Sequence, residues 1–209
     1  ELIDVQETSG TNDIVLATRF GLSCRFHESD VREMGRDTTG VKGIELRPED
    51  LVVGMVVIKR DATLLVVTEK GLGKVSDVAE YRVQRRGGKG ILTLNRTERT
   101  GNVVALMEVL PEDEMILITK RGILIRSSAA EVRKTGRNAQ GVKLVALDDG
   151  DAHASGRSAG AGGLPQVSHS PVSSRKRGSS CQPGFTLTMS PASPRMATSF
   201  LRMTRMGSS

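Results

Sequence analysis

A β-hairpin built around a glycine returns three times at a spacing of about 50 residues, and this period limits the possible folds more than any other feature of the chain. The runs Asp13 to Phe26, Thr63 to Val75 and Glu114 to Arg126 are rich in Val, Ile, Leu and Thr. Each is broken by one turn: Arg19-Phe20-Gly21-Leu22, Glu69-Lys70-Gly71-Leu72 and Lys120-Arg121-Gly122-Ile123. Glycine supplies the positive φ that a tight hairpin needs. After each hairpin come a basic, glycine-containing loop and a short alternating strand, Ile44-Glu45-Leu46, Ile91-Leu92-Thr93-Leu94 and Leu144-Val145-Ala146-Leu147. A closing strand follows in the first two copies, at Leu51 to Val57 and Asn102 to Val109. About four strands per period is the pattern of propeller-type blades, and helical periodicity is nowhere sustained. The fold class is therefore all-β, with repeats at approximately 13–57, 63–109 and 114–147. Leu2-Ile3-Asp4-Val5 matches the closing strands, so the chain is expected to open on the last strand of an earlier blade. The alternative is an ordinary antiparallel sandwich, and the fixed order of elements argues against it.

The loops between hairpin and short strand collect the bases. The first carries Arg32, Arg36 and Lys42; the second Arg82, Arg85, Arg86 and Lys89 around Gly87, Gly88 and Gly90; the third Arg133, Lys134, Arg137 and Lys143. Guanidinium forks match phosphate geometry, and glycines let backbone N–H groups approach another surface closely. Repeats of one architecture put equivalent loops on one rim, so these positions suit a polyanion bent along a curve and held through its phosphates. The competing expectation is that some bases pair with nearby Glu33, Asp37, Glu80 and Glu131. Arg85, Arg86 and Lys89 have no adjacent acid and are the strongest candidates.

The second loop also resembles a known family. Gln84-Arg85-Arg86-Gly87-Gly88-Lys89-Gly90 is similar at all seven positions to the signature box found in the C-terminal domain of DNA gyrase A proteins. Arg36-Asp37-Thr38-Thr39-Gly40-Val41-Lys42-Gly43 and Gly136-Arg137-Asn138-Ala139-Gln140-Gly141-Val142 resemble the equivalent loops of neighbouring repeats, and the likeness covers roughly Glu1 to Asp151. It implies a β-pinwheel, a propeller-like ring of about six blades exchanging strands, of which this chain holds about three. It also implies double-stranded DNA as partner, with DNA wrapping that supports ATP-dependent supercoiling. The gyrase B protein and a second gyrase A protein are then engaged through domains outside this chain. The related protein of topoisomerase IV is the nearest alternative, and its degenerate boxes fit less well. The best box lies here in the second copy, whereas the family's defining one lies in the first blade. From another class, the repeats could form an interaction module for an acidic protein.

Charge and aromatic content refine the target. The formal net charge of +6 resides wholly beyond Gly150, because bases and acids balance from Glu1 to Gly150. Nucleic-acid binding by the repeats must then rest on local clustering in the loops. With no Trp, one Tyr and four Phe, the chain lacks stacking platforms for single strands, so duplex backbone is the expected target. Cys24 and Cys181 are too few for a disulfide framework or a Cys-X-X-Cys metal site. No apolar run is long enough for a transmembrane helix, and the expected setting is cytoplasmic, without membrane contact.

No catalytic residue, metal or cofactor is expected in this chain. A phosphate-binding P-loop around Lys74 would need glycine at Thr68 and Ser or Thr at Val75, and Lys89 fails similarly at Val83. His27, His153 and His169 have no ligand spacing, Cys24 reads as core, and Tyr81 sits within the box context, away from any nucleophile role. The first 151 residues thus read as a partial β-pinwheel. Residues 152–209 change abruptly to a Ser/Gly/Pro-rich basic composition that cannot order itself by apolar burial, which implies a disordered tail. The break near residue 151 suggests a shifted reading frame or an artificial junction; a DNA-binding tail through Arg175-Lys176-Arg177 is the alternative.

Overall fold

The computed structural model describes residues 2–35, 38–147, 152–159, 185–190 and 199–205. Three hairpins pair as the glycine period requires. They are β2 (Asp13–Thr18) with β3 (Leu22–His27), β6 (Thr63–Thr68) with β7 (Leu72–Asp77), and β10 (Glu114–Thr119) with β11 (Leu124–Ser128). Gly21, Gly71 and Gly122 have φ of 82°, 73° and 83°. A threonine closes every turn: the carbonyls of Thr18, Thr68 and Thr119 accept the glycine N–H at 3.0 Å. Their hydroxyls accept the next N–H, from Leu22, Leu72 and Ile123, at 3.2–3.3 Å.

Each hairpin runs into one turn of 3-10 helix, Glu28–Asp30, Val78–Glu80 or Ala129–Glu131, capped by the side chain of His27, Asp77 or Ser128. Beyond the basic loop, the strands β4 (Val41–Lys42), β8 (Ile91–Leu92) and β12 (Val142–Lys143) are two residues long. The alternating runs suggested longer strands, starting later in the first and third copies. They stop early because the Gly21 carbonyl takes both the Thr93 and Leu94 N–H groups at 2.8 and 3.3 Å, and Gly71 does the same for Leu144 and Val145, which turns the segment off the sheet edge. The closing strands are β5 (Val52–Ile58), β9 (Val103–Val109) and β13 (His153–Ala159).

Neighbouring repeats exchange strands. The sheets are ordered β5-β2-β3-β8, β9-β6-β7-β12 and β13-β10-β11, so the short strand of each repeat completes the sheet of the one before. In a fourth sheet, β1 (Leu2–Thr8) and β4 flank a hairpin of β14 (Phe185–Ser190) and β15 (Ser199–Arg205), in the order β1-β15-β14-β4. Three segments of the region whose composition implied a disordered tail are thus strands, β13, β14 and β15. Ladder hydrogen bonds are made by backbone, so an open edge can be paired by a segment without an apolar period. The remainder of that region, apart from Ala152, lies outside the described residues.

Burial follows the two-residue period of the central strands. Ile14 and Leu16 point into one core with Cys24 and Phe26, and Val15 and Ala17 into a second shared with Leu64 and Val66. Leu65 and Val67 enter a third, shared with Met115 and Leu117. Central strands covered on both faces read as unbroken apolar runs, as in Leu64-Leu65-Val66-Val67, because blades stack face to face. Among the described residues, no helix is long and apolar enough to cross a membrane.

Candidate nucleic-acid interface

Topology places the three basic loops at the outer margin of the blades. The closing strands meet in succession on the other side, β5 lying against both β1 and β9, and β9 against β13. Each four-stranded sheet then runs outward to a short strand, β8, β12 or β4, and a basic loop leads directly into that strand.

The second loop is held to the first repeat by its main chain. Gln84 N–H donates to the Arg25 carbonyl at 2.8 Å, Gly87 N–H to Gly43 at 2.8 Å, and the Gly88 carbonyl accepts from Glu45 at 2.9 Å. Gly90 has φ of 74°, and a Cβ there would lie 2.6 Å from the Ser23 carbonyl oxygen. Arg25 extends the joint: it pairs with Asp13 at 2.6 Å and donates to the Val78 and Tyr81 carbonyls at 2.8 and 3.0 Å. Three glycines of the box thus belong to a fixed frame, with Arg82, Arg85 and Lys89 projecting from it.

The cations divide into two groups. Arg32, Lys42, Arg82, Arg85, Lys89, Arg133 and Lys143 are exposed. None of their charged groups has an ion-pair or hydrogen-bond partner among the described residues. Arg32, Arg82 and Arg133 are equivalent, each one residue beyond the C-cap of its 3-10 turn. Arg86 and Arg137, equivalent and half-buried, are internal struts. Arg86 donates to the carbonyls of Asp30, at 3.0 Å, and Lys42. Arg137 donates to the Leu92 carbonyl. Arg86 therefore has no acid, as its neighbours in sequence suggest, yet its guanidinium is engaged. Lys134 pairs with Asp77 at 2.7 Å, which holds that carboxyl below its ordinary range. Of the four acids singled out in the sequence, Glu80 takes the Arg137 backbone N–H at 2.6 Å and Glu131 the Ser127 hydroxyl. Arg36 and Asp37 lie outside the described residues.

Lys74 is a participant that the sequence suggests only as a failed P-loop lysine. It is fully buried on β7, three residues after the hairpin glycine, and its Nζ donates to the carbonyls of Gly136, at 3.0 Å, and Arg137. In the first repeat Cys24 occupies the same position and faces the Arg85 carbonyl. Burial pulls the Lys74 pKa from the ordinary 10.5 to about 8; the Glu80 carboxylate opposes this and Arg137 adds to it. A lysine whose folded pKa is lowered holds fewer protons than the unfolded chain between those two values, so stability rises with pH across that window. Measured by urea denaturation, wild type is expected to gain on the order of 1–3 kcal/mol relative to Lys74→Met between pH 7.5 and 10. Parallel curves for the two proteins would contradict this.

The remaining reactive side chains sit in the core. Tyr81 is buried with its hydroxyl 2.8 Å from Thr93 Oγ1, and burial raises its pKa. Burial pushes the Cys24 thiol up to about 11. Among the described residues, no group of His, Cys, Asp and Glu side chains could hold a metal ion.

The family model of the DNA gyrase C-terminal domain, a β-propeller, matches residues 12–59, 62–109 and 113–152. The DNA gyrase A protein of Staphylococcus aureus (strain MRSA252) is 47% identical over 151 residues, covering 71% of this chain and 17% of the relative. The chain thus spans under a fifth of the length of that curated relative. A solved DNA gyrase A C-terminal domain superimposes with a TM-score of 0.68 at 30% identity, over 71% of this chain and 50% of that one. The C-terminal domain of DNA topoisomerase IV gives 0.70 at 24% identity, covering 74% and 49%, which is a likeness of fold. The three matched segments coincide with the three all-β repeats, as the β-propeller of that family model requires, and the chain belongs to the DNA gyrase C-terminal domain family.

Proposed function

We propose that these repeats bind and wrap duplex DNA as part of the C-terminal domain of a gyrase A protein, supporting ATP-dependent negative supercoiling by the whole enzyme. Cleavage, ATP hydrolysis and contacts with gyrase B and a second gyrase A belong, on this reading, to parts of the enzyme outside the repeats. The observation that carries the proposal is the threefold placement of Arg32, Arg82 and Arg133, exposed and unpartnered among the described residues, on loops at the outer margin of successive blades. Cations spaced along a convex rim neutralise phosphates on a duplex bent around it, provided the contacts offset a bending cost of roughly 1–6 kcal/mol for a short site. The Arg85 and Lys89 side chains add charge at the second loop, where Gln84–Gly90 keeps all seven box residues and favours gyrase over topoisomerase IV.

Phosphate contacts carry no sequence information. Two duplexes of equal length and unrelated sequence are therefore expected to bind within about threefold of each other at one salt concentration. A preference of tenfold or more in a fluorescence-anisotropy titration would show base readout and refute this mode.

A further inference from the structure

The second repeat, flanked by a repeat on each side, exposes two large apolar side chains, Val83 at 57% and Leu92 at 38%. Both lie in its basic stretch. Val83 stands next to Arg82 and just before the box, bridged through its backbone to Arg25 of β3, and Leu92 ends β8 opposite Leu22 of the same strand. Register identifies the equivalent positions. Val75 of β7 bridges Lys134 as Arg25 bridges Val83, and Leu72 faces Lys143 as Leu22 faces Leu92. In the first repeat Glu33 follows Arg32 as Val83 follows Arg82, and Lys42 ends β4 as Leu92 ends β8. The neighbouring repeats thus place exposed charged residues where the second repeat places aliphatic ones. A rim that touched phosphates alone would gain from lysine at both sites.

The surroundings point to one kind of occupant. Arg82, Arg85 and Lys89 beside these side chains are exposed and have no partner among the described residues. Apolar groups set among free cations complement a polyanion that also has apolar surface. In a duplex that surface is the deoxyribose wall of the minor groove, bordered on each side by phosphates, and bending around a protein turns this groove inward about once every 10 base pairs. Val83 and Leu92 attach to β3 three residues apart, about 10 Å. At about 3.4 Å per step this spans roughly three base pairs of groove. We propose that the second repeat is where the minor groove faces the rim, with Val83 and Leu92 against deoxyribose and Arg82, Arg85 and Lys89 on the flanking phosphates. The inference rests on the wrapping reading and adds the rotational setting of the duplex. Deoxyribose is the same in every sequence, so the contact strengthens binding without base readout.

The two modes of contact predict opposite signs. With the full chain and an A·T-rich duplex of four turns, about 40 base pairs, fluorescence anisotropy measures affinity at one salt concentration. Val83→Lys and Leu92→Lys are each expected to weaken binding about threefold to tenfold, because an aliphatic contact is lost, although each adds a cation. Leu92→Met keeps the contact and is expected to bind like wild type. Lysine already stands at the equivalent sites, so the fold is retained, which thermal melts check. Netropsin, which fills the minor groove, is expected to displace the wild-type chain, and methyl green, which occupies the major groove, to leave it bound. Unchanged or tighter binding by both lysine variants, while Arg82→Ala, Arg85→Ala, Lys89→Ala weakens it, would overturn the groove assignment and leave wrapping intact. Displacement by methyl green and not by netropsin would overturn it too. If the triple variant bound as tightly as wild type, the wrapping reading itself would fall, and this inference with it.

Discussion

Gly90→Ala is expected to destabilise the chain by about 2–4 kcal/mol, while Gly87→Ala, three residues away in the same box, costs only about 1–2 kcal/mol. Both glycines lie in the left-handed region, at φ of 74° and 80°, so both substitutions carry the same backbone strain. They differ in what a methyl group meets. At Gly90 it would sit 2.6 Å from the Ser23 carbonyl oxygen, whereas at Gly87 the nearest atom, the Lys42 carbonyl oxygen, is 3.5 Å away, an ordinary contact. The loop cannot retreat freely from Ser23, because the Ile91 register and the two N–H groups held by Gly21 fix the strand that follows. Gly141, whose Cβ would lie 2.5 Å from the Gly73 carbonyl oxygen, is the third-repeat equivalent and should behave like Gly90. Equal losses at Gly87 and Gly90 in chemical denaturation would mean that close approach of the loop to the preceding blade is not what demands glycine.

Removing the exposed cations of the second loop is expected to act on binding and leave stability alone. The triple variant Arg82→Ala, Arg85→Ala, Lys89→Ala should lower duplex affinity more than tenfold at low salt. The slope of log K against log salt should fall by about 0.9 for each phosphate no longer neutralised, roughly 2–3 in total. Arg86→Ala makes the converse prediction. Its guanidinium already serves the Asp30 and Lys42 carbonyls, so the substitution should cost roughly 1–3 kcal/mol of stability and change the salt slope little. If Arg86→Ala lowered the slope as Arg85→Ala does while leaving the melt unchanged, the division of the box into frame and contact residues would be wrong.

That division was not legible in the sequence. The period, the hairpins and the family were, because each rests on side-chain types that the backbone demands: glycine at a positive φ, and apolar runs on strands covered from both sides. The box itself could be read as basic. Arg85 and Arg86, however, look alike on paper, and only the Asp30 and Lys42 carbonyls, main-chain groups that every residue possesses, separate a projecting cation from a strut. Lys74 was hidden for the same reason, since its partners are carbonyls 62 and 63 residues away. The two-residue strands were legible only as longer runs, because two residues have no period and their ends are set by hydrogen bonds to Gly21 and Gly71. Lys134 could be foreseen to find an acid, yet the acid is Asp77 on the neighbouring repeat and not the adjacent Glu131.

The central claim is that cations on successive blades act together on one bent duplex, and dependence of affinity on duplex length tests it most directly. At constant salt and protein concentration, affinity should climb steeply as the duplex grows from one helical turn to several, because each added turn reaches a further loop. An affinity that is the same for one turn as for four would contradict wrapping and leave at most a single loop touching the DNA.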